Sequence, residues 1–213
     1  MDFSRLLQIP RGVTAIIGSG GKTTLLYLLA RELSRTSRVI VTTSTHIQRP
    51  EELPYCEAVA AVSGLTVVGT PCENGKLAAP RQSFAALAAL ADYVLVEADG
   101  SRRLPLKAHA PHEPVLPENT AQVITVVGAS GLNRPIAEVV HRPERFTALT
   151  GETDTATPQA VAAALIAEGL TRRVVINQAD LPGQLAPALE LKALLPYPTV
   201  VAALKKEELL CSY

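Results

Sequence analysis

The sequence predicts an α/β fold in three layers, with helices on both faces of an open, mostly parallel sheet. Three observations lead there. Short apolar runs such as VTAII at 13–17, VIV within 38–43 and VITVV at 123–127 are continuous rather than alternating, as in strands covered on both faces. Helical segments separate these runs through most of the chain. Glycine or polar residues, not hairpin pairs, end most of the runs.

The elements follow in order. Residues 13–17 read as a buried strand, closed by Gly18. Residues 22–34 read as a helix whose apolar side is Leu25, Leu26, Leu28, Leu29 and Leu33. A second strand covers 38–43, and the stretch 44–54 is polar and marked by prolines. Residues 65–68 form a further strand. Asn74-Gly75 is a hairpin-turn signal, so a small antiparallel excursion is expected at about 63–80. An alanine-rich helix at 82–91 leads to a strand at 93–96, which runs into Glu97-Ala98-Asp99-Gly100. Residues 100–120 hold four prolines and no period; long irregular connections in compact domains are often functional. A strand at 122–127 follows, then an irregular charged piece up to Asp154. Thr157 caps and Pro158 opens a helix to Glu168. A strand at 173–176, a helix at 184–194 and a strand at 199–202 complete the pattern. No repeat or linker divides residues 1–213, so a single domain is expected.

Composition narrows the function. Of 213 residues, 47% are apolar and 19% charged, which is globular. Lysine plus arginine equals aspartate plus glutamate at 20 each, so net charge gives no signal for nucleic acid or an acidic membrane. Tryptophan is absent and aromatics are 4%, leaving little for base stacking. The three cysteines, Cys56, Cys72 and Cys211, form no CxxC pair. The N-terminal residues lack a signal-peptide pattern, and no apolar run is long enough to span a bilayer; a cytoplasmic protein is expected.

The stretch Gly18-Ser19-Gly20-Gly21-Lys22-Thr23-Thr24 joins the first strand to the first long helix. A glycine turn there exposes backbone N–H groups at a helix start, where phosphate oxygens can approach. Lys22 adds a charge for the outer phosphates, and Thr23 a hydroxyl for Mg2+. The usual motif is G-x-x-x-x-G-K-[ST]; here position 16 is isoleucine, so the loop is shorter. A dinucleotide site is the rival, yet it wants no lysine here and an acid after the second strand, where Thr42-Thr43-Ser44-Thr45 stands. A packed glycine turn is the plain structural alternative.

Carboxylates must come from a neighbouring strand end. Glu97 and Asp99, two apart, share one face if the strand continues. Asp99 is expected to hold Mg2+, and Glu97 to share that task or orient water; Asp99 as a turn residue is the alternative. Arg102, Arg103 and Lys107 follow directly and are candidates for phosphate or an acidic substrate, or a solvated charge run. Asn177-Gln178-Ala179-Asp180 resembles the Asn-Lys-x-Asp element that reads guanine, with Gln178 departing at the lysine. GTP and ATP both stay open, since loops favour Asn and Asp anyway. His46 is a proton-transfer group, a metal ligand or a polar loop residue.

Together GSGGKTT, VTTSTH, VEADGSRRLPLKAHAPHEPVLP and NQAD resemble the YqeC family across nearly the whole chain. The resemblance implies a P-loop NTPase-like fold and places Gly18, Gly20, Gly21, Lys22 and Thr23 at the phosphates; Ser19 and Thr24 of the same loop are further nucleotide-binding candidates. It makes Glu97, Asp99, Arg102, Arg103 and Lys107 site candidates. It further implies a role in maturing molybdenum hydroxylases with labile selenium, with such an enzyme or its cofactor-maturation proteins as partners. The expected activity is a magnesium-dependent nucleoside triphosphatase using ATP or GTP. A small-molecule kinase or nucleotidyltransferase, and a nucleotide-gated binding protein, use the same cradle.

Overall fold

Val13, Thr14, Ile16 and Ile17 are β-branched, and the strand that they build, Gly12–Gly18, is buried on both faces. In the computed structural model, which describes residues 2–49, 53 and 55–212, this strand lies at the centre of a nine-stranded sheet. From one edge the order is Glu208–Cys211, Thr199–Ala203, Arg173–Asn177, Thr120–Gly128, Gly12–Gly18, Tyr93–Glu97, Val39–Thr43, Leu65–Val68 and Tyr55–Cys56. Every pairing is parallel except that of Glu208–Cys211 with Thr199–Ala203. The fold is α/β with a large, open, mostly parallel sheet.

Alternation along each strand sorts the core into layers. Ile16, Val41, Leu95, Val126 and Val175 meet the helices Phe3–Leu6 and Lys22–Leu33 on one face. On the other, Val13, Ala15, Ile17, Val94 and Val96 pack with Leu87 of the helix Phe84–Leu90. Val174 and Ile176 on that second face pack against Pro158–Glu168 and Leu185–Leu194. The helix Pro158–Glu168 starts where Thr157 accepts a hydrogen bond from the Ala160 amide at 3.1 Å, a cap worth about 1 kcal/mol. It ends at Gly169, whose φ of 63° is left-handed.

Several segments depart from the sequence reading. Leu65–Val68 belongs to the main sheet, so the excursion is confined to Thr70–Cys72 and Lys76–Ala78. His46–Gln48 joins that hairpin as a third, antiparallel strand. Of the polar stretch before it, residues 50–52 and 54 lie outside the described residues. The charged piece before Asp154 contains the helices Ile136–Val139 and Pro143–Thr150, because Ile136, Val139 and Phe146 supply buried anchors. No described helix is long and apolar enough to cross a membrane.

Candidate functional site

The carboxyl ends of the strands Gly12–Gly18, Val39–Thr43, Tyr93–Glu97 and Arg173–Asn177 open into one cleft of about 1300 Å³. Ligands of open α/β sheets bind at this end. Gly20, Gly21, Lys22, Thr23 and Thr24 line it, with Glu97, Arg102, Arg103 and Gln178.

The glycine loop is held tightly. A Cβ on Gly18 would stand 2.3 Å from the Val126 carbonyl, and one on Gly20 would stand 2.4 Å from the Gly128 Cα. Both have positive φ, as does Gly21 at 133°. Gly21 occupies the cap position of the Lys22–Leu33 helix with no side-chain hydrogen bond to the first-turn amides. Those amides therefore face the cleft region with their donors uncapped, the arrangement that attracts anions. The Ser19 hydroxyl donates to the Leu104 carbonyl and pins the loop to the segment after Asp99.

Lys22 is only 5% exposed, yet it borders the cleft. Its ammonium donates to the Gly18 carbonyl at 2.8 Å and to the Ser101 hydroxyl at 3.3 Å. It lies 3.1 Å from Asp99 Oδ1 and 3.9 Å from Glu97 Oε1. The Thr23 hydroxyl donates to Glu97 Oε2 at 2.8 Å. Glu97 and Asp99 thus reach one lysine, although the strand Tyr93–Glu97 ends before Asp99. Extended backbone persists there, since the Ala98 amide still bonds the Ile16 carbonyl at 3.0 Å.

The two carboxyls differ. Glu97 lines the cleft, and burial raises its pKa against the charge of Lys22. Asp99 is fully buried. Its Oδ2 accepts from the Gly18 amide at 2.9 Å and meets His109 Nε2 at 2.7 Å and the Lys107 ammonium at 3.2 Å. Its Oδ1 has no partner with hydrogen-bond geometry, only the ion pair with Lys22. Burial pushes the Asp99 pKa up, but the His109 hydrogen bond and the two lysines together bring it down to about 2. The sequence reading gives magnesium to Asp99; the structure instead ties Asp99 to internal cations, away from the cleft lining.

Lys107 turns inward as well. Its ammonium lies 2.6 Å from Glu113 Oε2 and donates to the Gly100 carbonyl at 2.5 Å. Its donors are committed to the protein rather than to a phosphate. Arg142 closes the cluster with two contacts to Glu113, at 2.5 and 3.0 Å. His109 is bonded at both nitrogens, since Nδ1 meets Glu168 Oε2 at 2.8 Å. Burial disfavours the charged ring, yet the bonds to Asp99 and Glu168 outweigh it and raise the pKa. Glu168, at the end of its helix, has no local signal in the sequence. The signal that was available is indirect: Lys107 and His109 follow two acids within a loop and need partners if buried.

Arg102 and Arg103 remain in the cleft, exposed and with no ion pair or hydrogen bond among the described residues. Their φ values are 49° and 64°, and the Leu104 amide bonds the Ser101 carbonyl at 3.0 Å. This is a tight turn with two left-handed residues, where Asn-Gly is the favoured pair. Each arginine there costs about 1 kcal/mol or more.

The late Asn177-Gln178-Ala179-Asp180 element is braced rather than free. Asn177 donates to the Gly20 carbonyl at 2.7 Å and accepts from the Leu204 amide at 2.9 Å. One N–H and the oxygen of its amide thus hold the glycine loop and the Leu204 turn in place. Gln178 lines the cleft with a φ of 66°, while Asp180 pairs with Lys206 at 2.9 Å outside that lining.

The fold and the site define an α/β protein with a glycine-lysine loop, backed by a buried charge cluster, at the carboxyl edge of its sheet. A family model described as YqeC protein matches residues 14–144, more than half of the chain. A protein of Escherichia coli (strain K12), described as "Uncharacterized protein YqeC", is 36% identical over 168 residues. That alignment takes in 69% of this chain and 64% of the relative. The chain belongs to the YqeC family.

Proposed function

We propose that the protein is a magnesium-dependent nucleoside triphosphatase. One observation carries the reading: Lys22 opens an uncapped helix after a loop whose three glycines leave no room for a Cβ, and it borders an open cleft while held by its own carboxylates. A lysine in that position has a charge to exchange. An incoming polyphosphate offers its ammonium new oxygens in place of Asp99, and the loop amides take the remaining oxygens.

A metal fits these residues. Thr23 Oγ1 and Glu97 Oε2 are hard oxygen donors already 2.8 Å apart beside the cleft. Magnesium is commonly held by one or two protein oxygens, with water and phosphate completing its shell. Thr23 and Glu97 would hold the ion, which when bound offsets charge on the phosphate oxygens. Orienting the attacking water is the other task open to Glu97 beside the cleft. Asp99 keeps Lys22, Lys107 and the Gly18 amide in register.

Arg102 and Arg103 stand at the mouth of the loop, ready for the outer phosphates. The base is left open between ATP and GTP, because Asp180, the residue that would read guanine, pairs with Lys206. Membership of the YqeC family supports placing the activity in the maturation of a molybdenum hydroxylase, with that enzyme or its cofactor machinery as partner.

The test is calorimetric titration with a slowly hydrolysed triphosphate and magnesium, together with phosphate release from ATP and GTP. Wild type should bind and turn over. Lys22→Ala, checked as folded, should bind at least about tenfold more weakly, the scale of one lost charge-assisted hydrogen bond. Equal affinity in the two proteins sinks the reading.

A further inference from the structure

The cleft is longer than the glycine loop needs. From the strand before Gln178 to the strand before Ser44 is four steps across the sheet, about 19 Å. Pockets for small ligands run to roughly 300–1,000 Å³, and this cleft is about 1300 Å³. Its far wall is the small three-stranded sheet. Register sets His46 opposite Ala78, Gln48 opposite Lys76, and Cys72 opposite Lys76. One face therefore carries His46, Gln48, Cys72, Lys76 and Ala78, all lining the cleft, while Ile47 and Leu77 between them are buried in the core.

This face is polar, and the positive excess belongs to the cleft it walls rather than to the face alone. Lys76 is exposed and has no ion pair or hydrogen bond among the described residues. Arg102 and Arg103 border the same cleft in the same condition, and Glu73 is the one lining carboxylate there without such a partner among the described residues. Beside His46, Thr45 lines the cleft, and its hydroxyl is buried with no hydrogen-bond partner among the described residues. A buried hydroxyl without a partner is costly unless something bonds it.

We propose that the face of His46, Gln48, Cys72 and Lys76 is a second subsite, which holds an anionic small molecule bearing phosphate or carboxylate beside the nucleotide. Lys76 meets the anionic oxygens, and His46, Gln48 and Thr45 supply directional hydrogen bonds. The subsite rests on the reading of the glycine loop as a phosphate cradle, since it is the remaining part of one continuous cleft.

The experiment follows the ring signals of the four histidines by NMR. The protein is first saturated with a slowly hydrolysed triphosphate and magnesium. Inorganic phosphate is then titrated in one arm and citrate in the other. His46 should shift in a saturable way in at least one arm, and the arm that responds names the anion. Lys76→Ala should weaken that response about tenfold; Gln48→Ala, on the same exposed face, is a second variant in case the first misfolds. A silent His46 in both arms overturns the proposal, as does a response that both variants leave unchanged. Failure of the first step, with no triphosphate bound, would instead count against the cradle itself. Phosphate and citrate are then titrated without nucleotide, and the same His46 criteria decide the subsite.

Discussion

At the scale of single residues, the site separates two acids that look alike in the sequence. Glu97 and Asp99 both reach Lys22, yet only Glu97 borders the cleft. Spacing could place both on one edge but could not show that His109 and Lys107 return to cover Asp99. The adjacent arginines pose a sharper test. Arg102 and Arg103 occupy left-handed positions that favour an Asn-Gly pair. The double substitution Arg102→Asn with Arg103→Gly should relieve the backbone and raise the melting temperature by roughly 2–4 °C. The same double variant should lose about tenfold in triphosphate affinity, because two unpaired guanidinium groups leave the mouth of the loop. A melting curve and a titration on one preparation measure both. A more stable variant with unchanged affinity would leave the arginines as surface charges.

At the scale of elements, Asn177 shows how a strand end controls a loop two strands away. Asn177→Ala leaves the Gly20 carbonyl and the Leu204 amide without partners, at about 1–3 kcal/mol for each group that stays dry. Denaturant unfolding should show the midpoint fall with little change in slope. Asp180→Asn, which touches only a partly exposed pair with Lys206, should change stability by at most about 1 kcal/mol. A larger loss for Asp180 than for Asn177 would contradict this division of roles. The parallel strands were legible because each is a short, continuous apolar run with a glycine or polar end. The helix Pro143–Thr150 was not, since Phe146 is its sole fully buried apolar anchor and the flanking residues are charged. Glu208–Cys211 escaped because it is short and pairs only through a turn at Glu207. Likewise the glycine loop and both acids could be found by letter, whereas Glu168 reaches His109 only through the tertiary fold.

At the scale of the whole molecule, the buried charges make stability depend on pH at both ends. The Asp99 pKa falls from 3.8 to about 2, so its ion pairs contribute ~2 kcal/mol that is present above 3.8 and lost as pH falls towards 2. Glu113, also lowered to about 2 by Arg142 and Lys107 against its burial, acts in the same window. Glu97 works the opposite way, because its raised pKa favours the folded state when protonated. The His109 pKa is raised above 6.5, so its contribution is full below 6.5 and is lost as pH rises through the folded value. Unfolding by denaturant across this range should therefore show falling stability in acid and again on the alkaline side. In His109→Ala the alkaline decline due to this ring should vanish, and total stability should drop by about 3–5 kcal/mol as Asp99 and Glu168 lose their shared partner. An alkaline limb identical to that of wild type would assign it to another group.

A sheet of nine strands has two open borders, and each could recruit the backbone of a neighbouring molecule. Here one border is Tyr55–Cys56, only two residues long, which gives a foreign strand almost no ladder to extend. The other is Glu208–Cys211, which reverses direction, carries exposed Glu208, and follows Lys205 and Lys206. A stranger docking there would meet charge, and a row of free donors and acceptors only four residues long. The wide sheet can thus gather the ends of four strands at one cleft while its borders offer a foreign strand little to extend.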